Sequence, residues 1–196
     1  MNATSDAELM ARIRDGDRSA FGDLVDRYKD PIVNYLTKMT GNRARAEEAA
    51  QEAFLKLYHA APRYQEQGKL SAFLYRIATN LVRQEERRDR RWRMVSSLLS
   101  GSAHAAGKGP DVAAAALLNQ EVGREIRIAL AALPLRYRVP IVLRDVQEWP
   151  YDEIARVTGL RLGTIKSRIS RGRGMLRRAL EPYRNRGETL AQRPTA

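Results

Sequence analysis

Between Trp149 and Leu180 the chain reads WPYDEIARVTGLRLGTIKSRISRGRGMLRRAL. Two short helical patterns flank a glycine, and this pairing restricts the fold more than any other stretch. Pro150 fixes the start of the first helix, and Ile154, Ala155 and Val157 supply its inward face. Ala155 is small enough to let a crossing helix approach closely. Four residues later, Gly159 suits a tight turn with positive φ. Leu160 plugs the corner, and Leu162, Ile165 and Ile169 are expected to fasten the second helix to the first. This Ala-x-x-x-Gly-Leu spacing is a helix-turn-helix signature.

The second helix is basic. Residues 161, 166, 168, 171, 173, 177 and 178 are Lys or Arg, with no acid from Arg161 to Leu180. Its exposed set is expected to be Arg161, Thr164, Lys166, Ser167, Arg168, Arg171 and Arg173. Recognition helices enter the major groove by their N-terminal part. Arg161 or Arg168 can therefore bond guanine in bidentate fashion. Arg173, Arg177 and Arg178 lie further along and suit phosphates. Gly172 and Gly174 each cost about 1 kcal/mol of helix propensity relative to Ala, so fraying is expected beyond them.

The whole chain shares this bias. Its 35 Lys and Arg against 23 Asp and Glu give a formal charge of +12. That field favours anionic partners, without separating nucleic acid from an anionic membrane surface. Cys is absent, which excludes disulfides and thiolate zinc sites, and the two His residues, His59 and His104, lie far apart. There is no P-loop, no glycine-rich nucleotide fingerprint and no Ser/His/Asp set. Glu47 and Glu48 are adjacent on a helix and point in different directions, so they form no catalytic pair. No catalytic residue, metal or cofactor is expected. The N-terminus carries acids where a secretory signal carries bases, and the longest apolar run, Val112 to Leu118, is too short to span a bilayer. A soluble cytoplasmic protein without membrane insertion is expected.

The first half reads as helices throughout. Ser5 and Glu8 form a capping box that opens a short helix through Ile13, ended by Gly16. Phe21, Leu24, Val25 and Tyr28 recur at helical spacing from about Ser19. Asp30-Pro31 kinks or restarts that helix, and Ile32, Val33, Tyr35 and Leu36 carry the stripe onward. Thr40-Gly41-Asn42 is a stop followed by a new N-cap. A third helix follows from about Arg43 to Tyr58, with Ala46, Ala50, Phe54 and Leu57 inside. Glu48, Gln51, Glu52 and Lys56 share another face, most of it acid or amide. Residues by themselves read this face as solvated.

Residues 60–69 form a loop by their Pro, Gly and polar content. Ser71 is expected to cap a long helix with Phe73, Leu74, Ile77, Ala78, Leu81 and Val82 inside. Tyr75, Arg76, Thr79, Asn80, Arg83 and Arg87 fall away from that stripe. The helix ends in RRDRRWR, where arginines beside an aromatic suit either stacking on bases or simple solvation. Residues 94–116 are rich in Ser, Ala and Gly and read as a flexible linker. The second domain begins near Leu117. Val122, Ile126, Ala129 and Leu130 make a helix closed by Leu133-Pro134. Tyr137, Val139, Ile141, Val142, Leu143 and Val146 follow as an apolar helix that starts late or bends at Pro140.

The expected fold is all-α: two small helical domains, residues 1–93 and 117–182, joined by the linker, with a polar tail at 183–196. At this point a family resemblance enters. The run from Leu133 to Leu180, with GTIKSR at Gly163 to Arg168 as its most specific part, resembles region 4 of the extracytoplasmic-function group of bacterial RNA polymerase sigma factors. The stretches AFGDLVDRYKDPIVNYL, ARAEEAAQEAFLKLY and GKLSAFLYRIATNLVRQEERR resemble region 2 of the same group. The matches fall in the family's order on both sides of a linker.

The resemblance implies roles for surfaces that the residues left open. Glu48, Gln51, Glu52 and Leu55 would contact the clamp helices of the polymerase β′ subunit. Tyr64, Lys69, Tyr75, Arg76, Asn80, Arg83 and Arg87 would read and open the −10 promoter element. Arg161, Thr164, Lys166, Ser167, Arg168, Arg171 and Arg173 would read the −35 element, and the same region would touch the β flap. An anti-sigma factor is an expected partner. This chain has Ala72-Phe73 where the family often has Thr-Trp. Ser170 and Gly172 replace a common His and Ala, and Pro150 replaces a common capping Ser. The linker holds Asp111 as its one acid. The second reading is an ordinary helix-turn-helix regulator with an N-terminal helical sensor domain.

Overall fold

The computed structural model describes residues 4–65, 68–100 and 119–191, with side chains described for 4–65, 68–94 and 123–183. Among these there are helices and no strand. Helix α1 (Asp6–Arg14) opens on the capping box: the Ser5 side chain accepts from the Glu8 N–H, and Glu8 accepts from the Ser5 N–H. Asp17 caps α2 (Arg18–Thr40), accepting from the Ser19 and Ala20 N–H groups. The Ser19 hydroxyl, which also donates to Asp17, then the Arg12 guanidinium and the Ala20 N–H hold the Asp17 carboxyl well below the usual carboxylate range.

Helix α2 runs unbroken through Pro31, so the restart expected there does not occur. Buried Ile32, Val33, Tyr35 and Leu36 beyond the proline continue the packed stripe. That packing outweighs the loss of one backbone donor. Gly41 ends α2 at φ 72°, the left-handed region that glycine enters without a Cβ penalty. Asn42 then caps α3 (Arg43–Ala60) by accepting from the Arg45 N–H. Ala46, Ala50, Phe54 and Leu57 are buried as their spacing predicts.

A 3₁₀ turn at Ala61–Arg63 leads to the long α4 (Leu70–Ser100). The helix begins at Leu70, so Ser71 lies inside the first turn and does not cap it. It also continues through residues 94–100, so the start of the expected linker is helical. The rest of that linker lies largely outside the described residues. Tyr75 and Thr79 were expected to fall away from the buried stripe, yet both are buried. Thr79 donates to the Tyr75 carbonyl at 2.7 Å and pairs with the Tyr35 hydroxyl at 2.7 Å. A buried hydroxyl needs such a partner, and each of these supplies one.

The second half contains α5 (Asn119–Ala132), α6 (Leu135–Ile141), α7 (Tyr151–Thr158) and α8 (Leu162–Ala191). Pro140 lies inside α6, and a π-turn over Val142–Val146 follows directly. Of the two alternatives the late start does not occur: α6 begins at Leu135, runs through Pro140 and widens just after it. Pro150 stands at the N-cap of α7, one residue earlier than a first-turn proline. Gly159 has φ 69°, as the tight turn requires. Ile154, Val157, Ile165 and Ile169 form the seam of the helix pair. Leu162 does not join them and is 48% exposed, because it opens α8 on the side away from that seam. Helix α8 is continuous through Gly172 and Gly174, so the expected fraying does not occur there. Gly172 is buried against α6, and close packing there compensates its poor propensity.

The two halves pack against each other, chiefly α4 against α7 and α2 against α5. Arg138 of α6 donates to the carbonyl of Met39, at the end of α2, and to the carbonyls of Ala131 and Leu133. The ends of α2 and α5 present carbonyls with no helical partner, and one guanidinium serves both.

Candidate polymerase and promoter surfaces

Helix α3 presents Glu48, Gln51, Glu52 and Leu55 at i, i+3, i+4 and i+7, on one exposed face. Leu55 is 56% exposed, a large apolar side chain between acid and amide neighbours. Lys56 forms an i,i+4 pair with Glu52 at 3.3 Å. Both ends of that pair are solvated, so it adds little to stability. An apolar centre with an acidic rim suits a basic, partly apolar partner face.

The loop before α4 and the first turns of α4 enclose an open cavity of about 500 Å³, lined in part by Arg63, Tyr64, Lys69, Phe73 and Arg76. The Tyr64 and Phe73 rings sit 5.2 Å apart, and the Arg76 guanidinium lies 5.2 Å above Phe73. Two aromatic faces beside four cations, Arg63, Lys69, Arg76 and Arg156, form a place where an unstacked base and its phosphate can both be held. Of these, Arg63 and the α7 residue Arg156 were not singled out from the sequence. The run Pro62-Arg63-Tyr64 carried the signal for Arg63, whereas Arg156 comes from a helix remote in sequence.

The other residues expected on this surface divide. Asn80 and Arg87 are exposed on α4, and Arg87 donates to the Arg83 carbonyl at 3.2 Å. Tyr75 is only 3% exposed. Its ring packs 4.9 Å from Tyr35 and 4.7 Å from Trp149, and its hydroxyl donates to Gln147 at 3.4 Å. Burial pushes its phenol up to about 12. Arg83 is half-buried and donates to the Thr158 carbonyl at 3.4 Å. Burial, followed by the nearby Arg168 and Arg87 charges, lowers its pKa.

On α8, Arg161, Lys166, Ser167, Arg171 and Arg173 are exposed, and Thr164 and Arg168 are half-buried. Ser167 donates to the Thr164 carbonyl at 2.9 Å. Arg173 is already engaged: its Nε donates to Asp145 at 2.9 Å, and the carboxylate raises its pKa further. A phosphate would have to share or displace that carboxylate.

Two family models match the chain: Sigma-70 region 2 over residues 24–93, and Sigma-70, region 4 over residues 123–176. The chain is 34% identical to the ECF RNA polymerase sigma factor SigW of Bacillus subtilis, over 86% of this chain and 93% of that protein. The chain belongs to the ECF sigma factors of RNA polymerase. The ECF sigma factor SigM of Mycobacterium tuberculosis is 32% identical over 95% of this chain and 89% of its own length. Among solved structures, CnrH in complex with the cytosolic domain of CnrY is similar at a TM-score of 0.63 and 23% identity. That match covers 89% of this chain and 96% of CnrH. RpoE of Bartonella quintana, in complex with the anti-sigma factor NepR, gives 0.60 and 23%, over 82% and 96%. These two likenesses concern the fold. The sequence relationship makes the chain an alternative sigma factor, and the regulator reading is set aside.

Proposed function

We propose that residues 1–93 dock on core RNA polymerase and read and melt the −10 element, and that residues 117–182 read the −35 element as duplex. The observation that carries this is the segregation of chemistry between adjacent helices. Helix α3 shows an exposed face of Glu48, Gln51, Glu52 and Leu55, in a chain with a formal charge of +12. Helix α4 and its preceding loop show Tyr64, Lys69 and Arg76 around an aromatic cavity, with Asn80 and Arg87 exposed further along α4. The α3 face fits the β′ clamp helices, and the basic faces fit promoter DNA and, from region 4, the β flap.

Melting then draws on binding energy. A base leaves the stack and is held between Tyr64, Phe73 and the adjacent cations, with no covalent chemistry and no nucleotide hydrolysis. The protein acts where the polymerase is, in the cytoplasm. Among the described residues no helix is long and apolar enough to cross a membrane. The anti-sigma factor named with the Bartonella relative makes a partner of that kind the expected control here. Transcription by bacterial core polymerase supplemented with this chain, with start sites mapped genome-wide on fragmented DNA, tests the reading. Initiation from a shared pair of elements is expected; the absence of promoter-specific starts would refute it.

A further inference from the structure

Helix α8 carries a row of exposed side chains along one side. Lys166, Ser170, Arg173 and Arg177 follow one another at i, i+4, i+7 and i+11. From Arg161 to Leu180 the sequence supplies this row with no acid. The acid comes from another element. Asp145, in the π-turn Val142–Val146, reaches across to α8 and occupies one whole edge of the Arg173 guanidinium. Nε donates to one carboxylate oxygen at 2.9 Å and Nη2 to the other at 2.5 Å, the two-pronged fit of a guanidinium to a carboxylate. Among the described residues, no other basic side chain of α8 has an ion pair.

The seat of α8 does not depend on this pair. Ile165 and Ile169 are buried in the seam with α7, and Gly172 lies against Ile141 and Tyr137 of α6. Arg173 and Asp145 leave 50% and 31% of their side-chain surfaces in water, and an ion pair that exposed adds little to stability. Its effect falls on charge instead. Arg173 stands between Lys166 and Arg177, in the row that would follow a phosphate backbone. A carboxylate in contact with it lies well inside the screening length, so it cancels that charge at ordinary ionic strength. Single widened turns recur at functional sites, and here the turn after Pro140 carries the carboxylate that meets α8.

We propose that Asp145 competes with DNA phosphate for Arg173. Region 4 thereby keeps one cation of its duplex-reading face in reserve, and Asp145 sets how tightly, and with what salt dependence, that face holds DNA. The inference rests on the −35 reading proposed above. Phosphate contacts carry no sequence information. Asp145 therefore tempers the part of the affinity that any duplex can draw on, and leaves base preference to Arg161 and Arg168.

The chain assembled with core polymerase and titrated onto a linear promoter duplex, over a series of salt concentrations, tests this. Asp145→Asn keeps the size of the side chain and removes its charge. It should raise affinity several-fold at low salt and steepen the log–log salt slope by about 0.9, the value of one added phosphate contact. Preference among single-base −35 variants should stay as it is. Combining Asp145→Asn with Arg173→Ala should return the slope to that of the unmodified chain. Asp26→Asn makes the same change of net charge at an exposed position on α2 and should leave the slope alone. Should Asp145→Asn alter helicity, Asp145→Ser takes its place with the same expectations.

An unchanged slope in Asp145→Asn would overturn the reserve. So would a steeper slope that persists without Arg173, or one that Asp26→Asn reproduces. Lost affinity or altered base preference in Asp145→Asn would also overturn it, and would make the pair a brace for the recognition helix. Each of these outcomes leaves promoter-specific transcription standing. A holoenzyme with no promoter-specific binding would instead refute the functional reading, and the reserve with it.

Discussion

Gly172 lies with its backbone against the side chains of α6. A Cβ built there would collide with Ile141 Cδ1 and stand 3.2 Å from Tyr137 Cβ. Gly172→Ala is therefore expected to destabilise region 4. Overpacking costs about 1–3 kcal/mol, while the gain in helix propensity returns about 1 kcal/mol. Gly174, two residues on, has nothing within 4 Å of such a Cβ. Gly174→Ala should stabilise by up to about 1 kcal/mol. Denaturant midpoints of the two variants should move in opposite directions.

Glu52→Arg, alone or with Glu48→Arg, should leave helicity and binding to isolated DNA unchanged and weaken association with core polymerase. Both carboxylates are exposed, and neither supports the buried core. Competition against the unmodified chain for core polymerase measures the effect. Equal competition would remove α3 from the interface.

Arg168→Ala is expected to relax preference at one −35 base pair by about 1–3 kcal/mol. Arg177→Ala should weaken binding evenly across sequences and reduce the salt slope by about 1. Binding to a panel of single-base −35 variants separates the two outcomes. The same defect in both variants would dissolve the distinction between reading and anchoring along α8.

Alkaline pH should act through buried tyrosines. Tyr28, Tyr35 and Tyr75 all have raised pKa values, with burial as the leading cause; the Asp6 bond adds to the effect at Tyr28. In the unfolded chain a phenol ionises near about 10. Keeping these phenols neutral costs nothing below that pH. Above it the unfolded state gains charge that the folded state cannot, so stability falls as pH rises from about 10 through the Tyr75 value of about 12. Following tyrosinate absorbance beside helicity checks this. Titration of every tyrosine together near 10, with helicity intact, would contradict it.

The sequence was most legible where one residue type is confined by local geometry. The Ser5–Glu8 capping box, Gly41 before the Asn42 cap, and Gly159 between α7 and α8 each depend on neighbours a few residues away. The misreadings share a different cause. Tyr75 looked outward because a helical wheel allows one buried stripe, and its cover comes from Gln147, 72 residues later. Gly172 looked like a helix breaker because propensity is local, whereas its reason for being glycine is Ile141 on another helix. Leu162 was placed inside by its chemistry alone, and the first residue of a helix can face either way. Pro31 and Pro140 stayed within helices because packed neighbours outweigh one missing donor.

The closeness of Arg83 to Arg168 also bears on ionic strength. After burial, the Arg168 and Arg87 charges add to lowering the Arg83 pKa, so the packed halves hold like charges together. Added salt screens that repulsion over a length of about 10 Å at 0.1 M and so favours the packing of α4 against α7. Salt also weakens DNA binding by restoring condensed counterions. The denaturant midpoint of the free chain should therefore rise with salt over the range in which its DNA affinity falls.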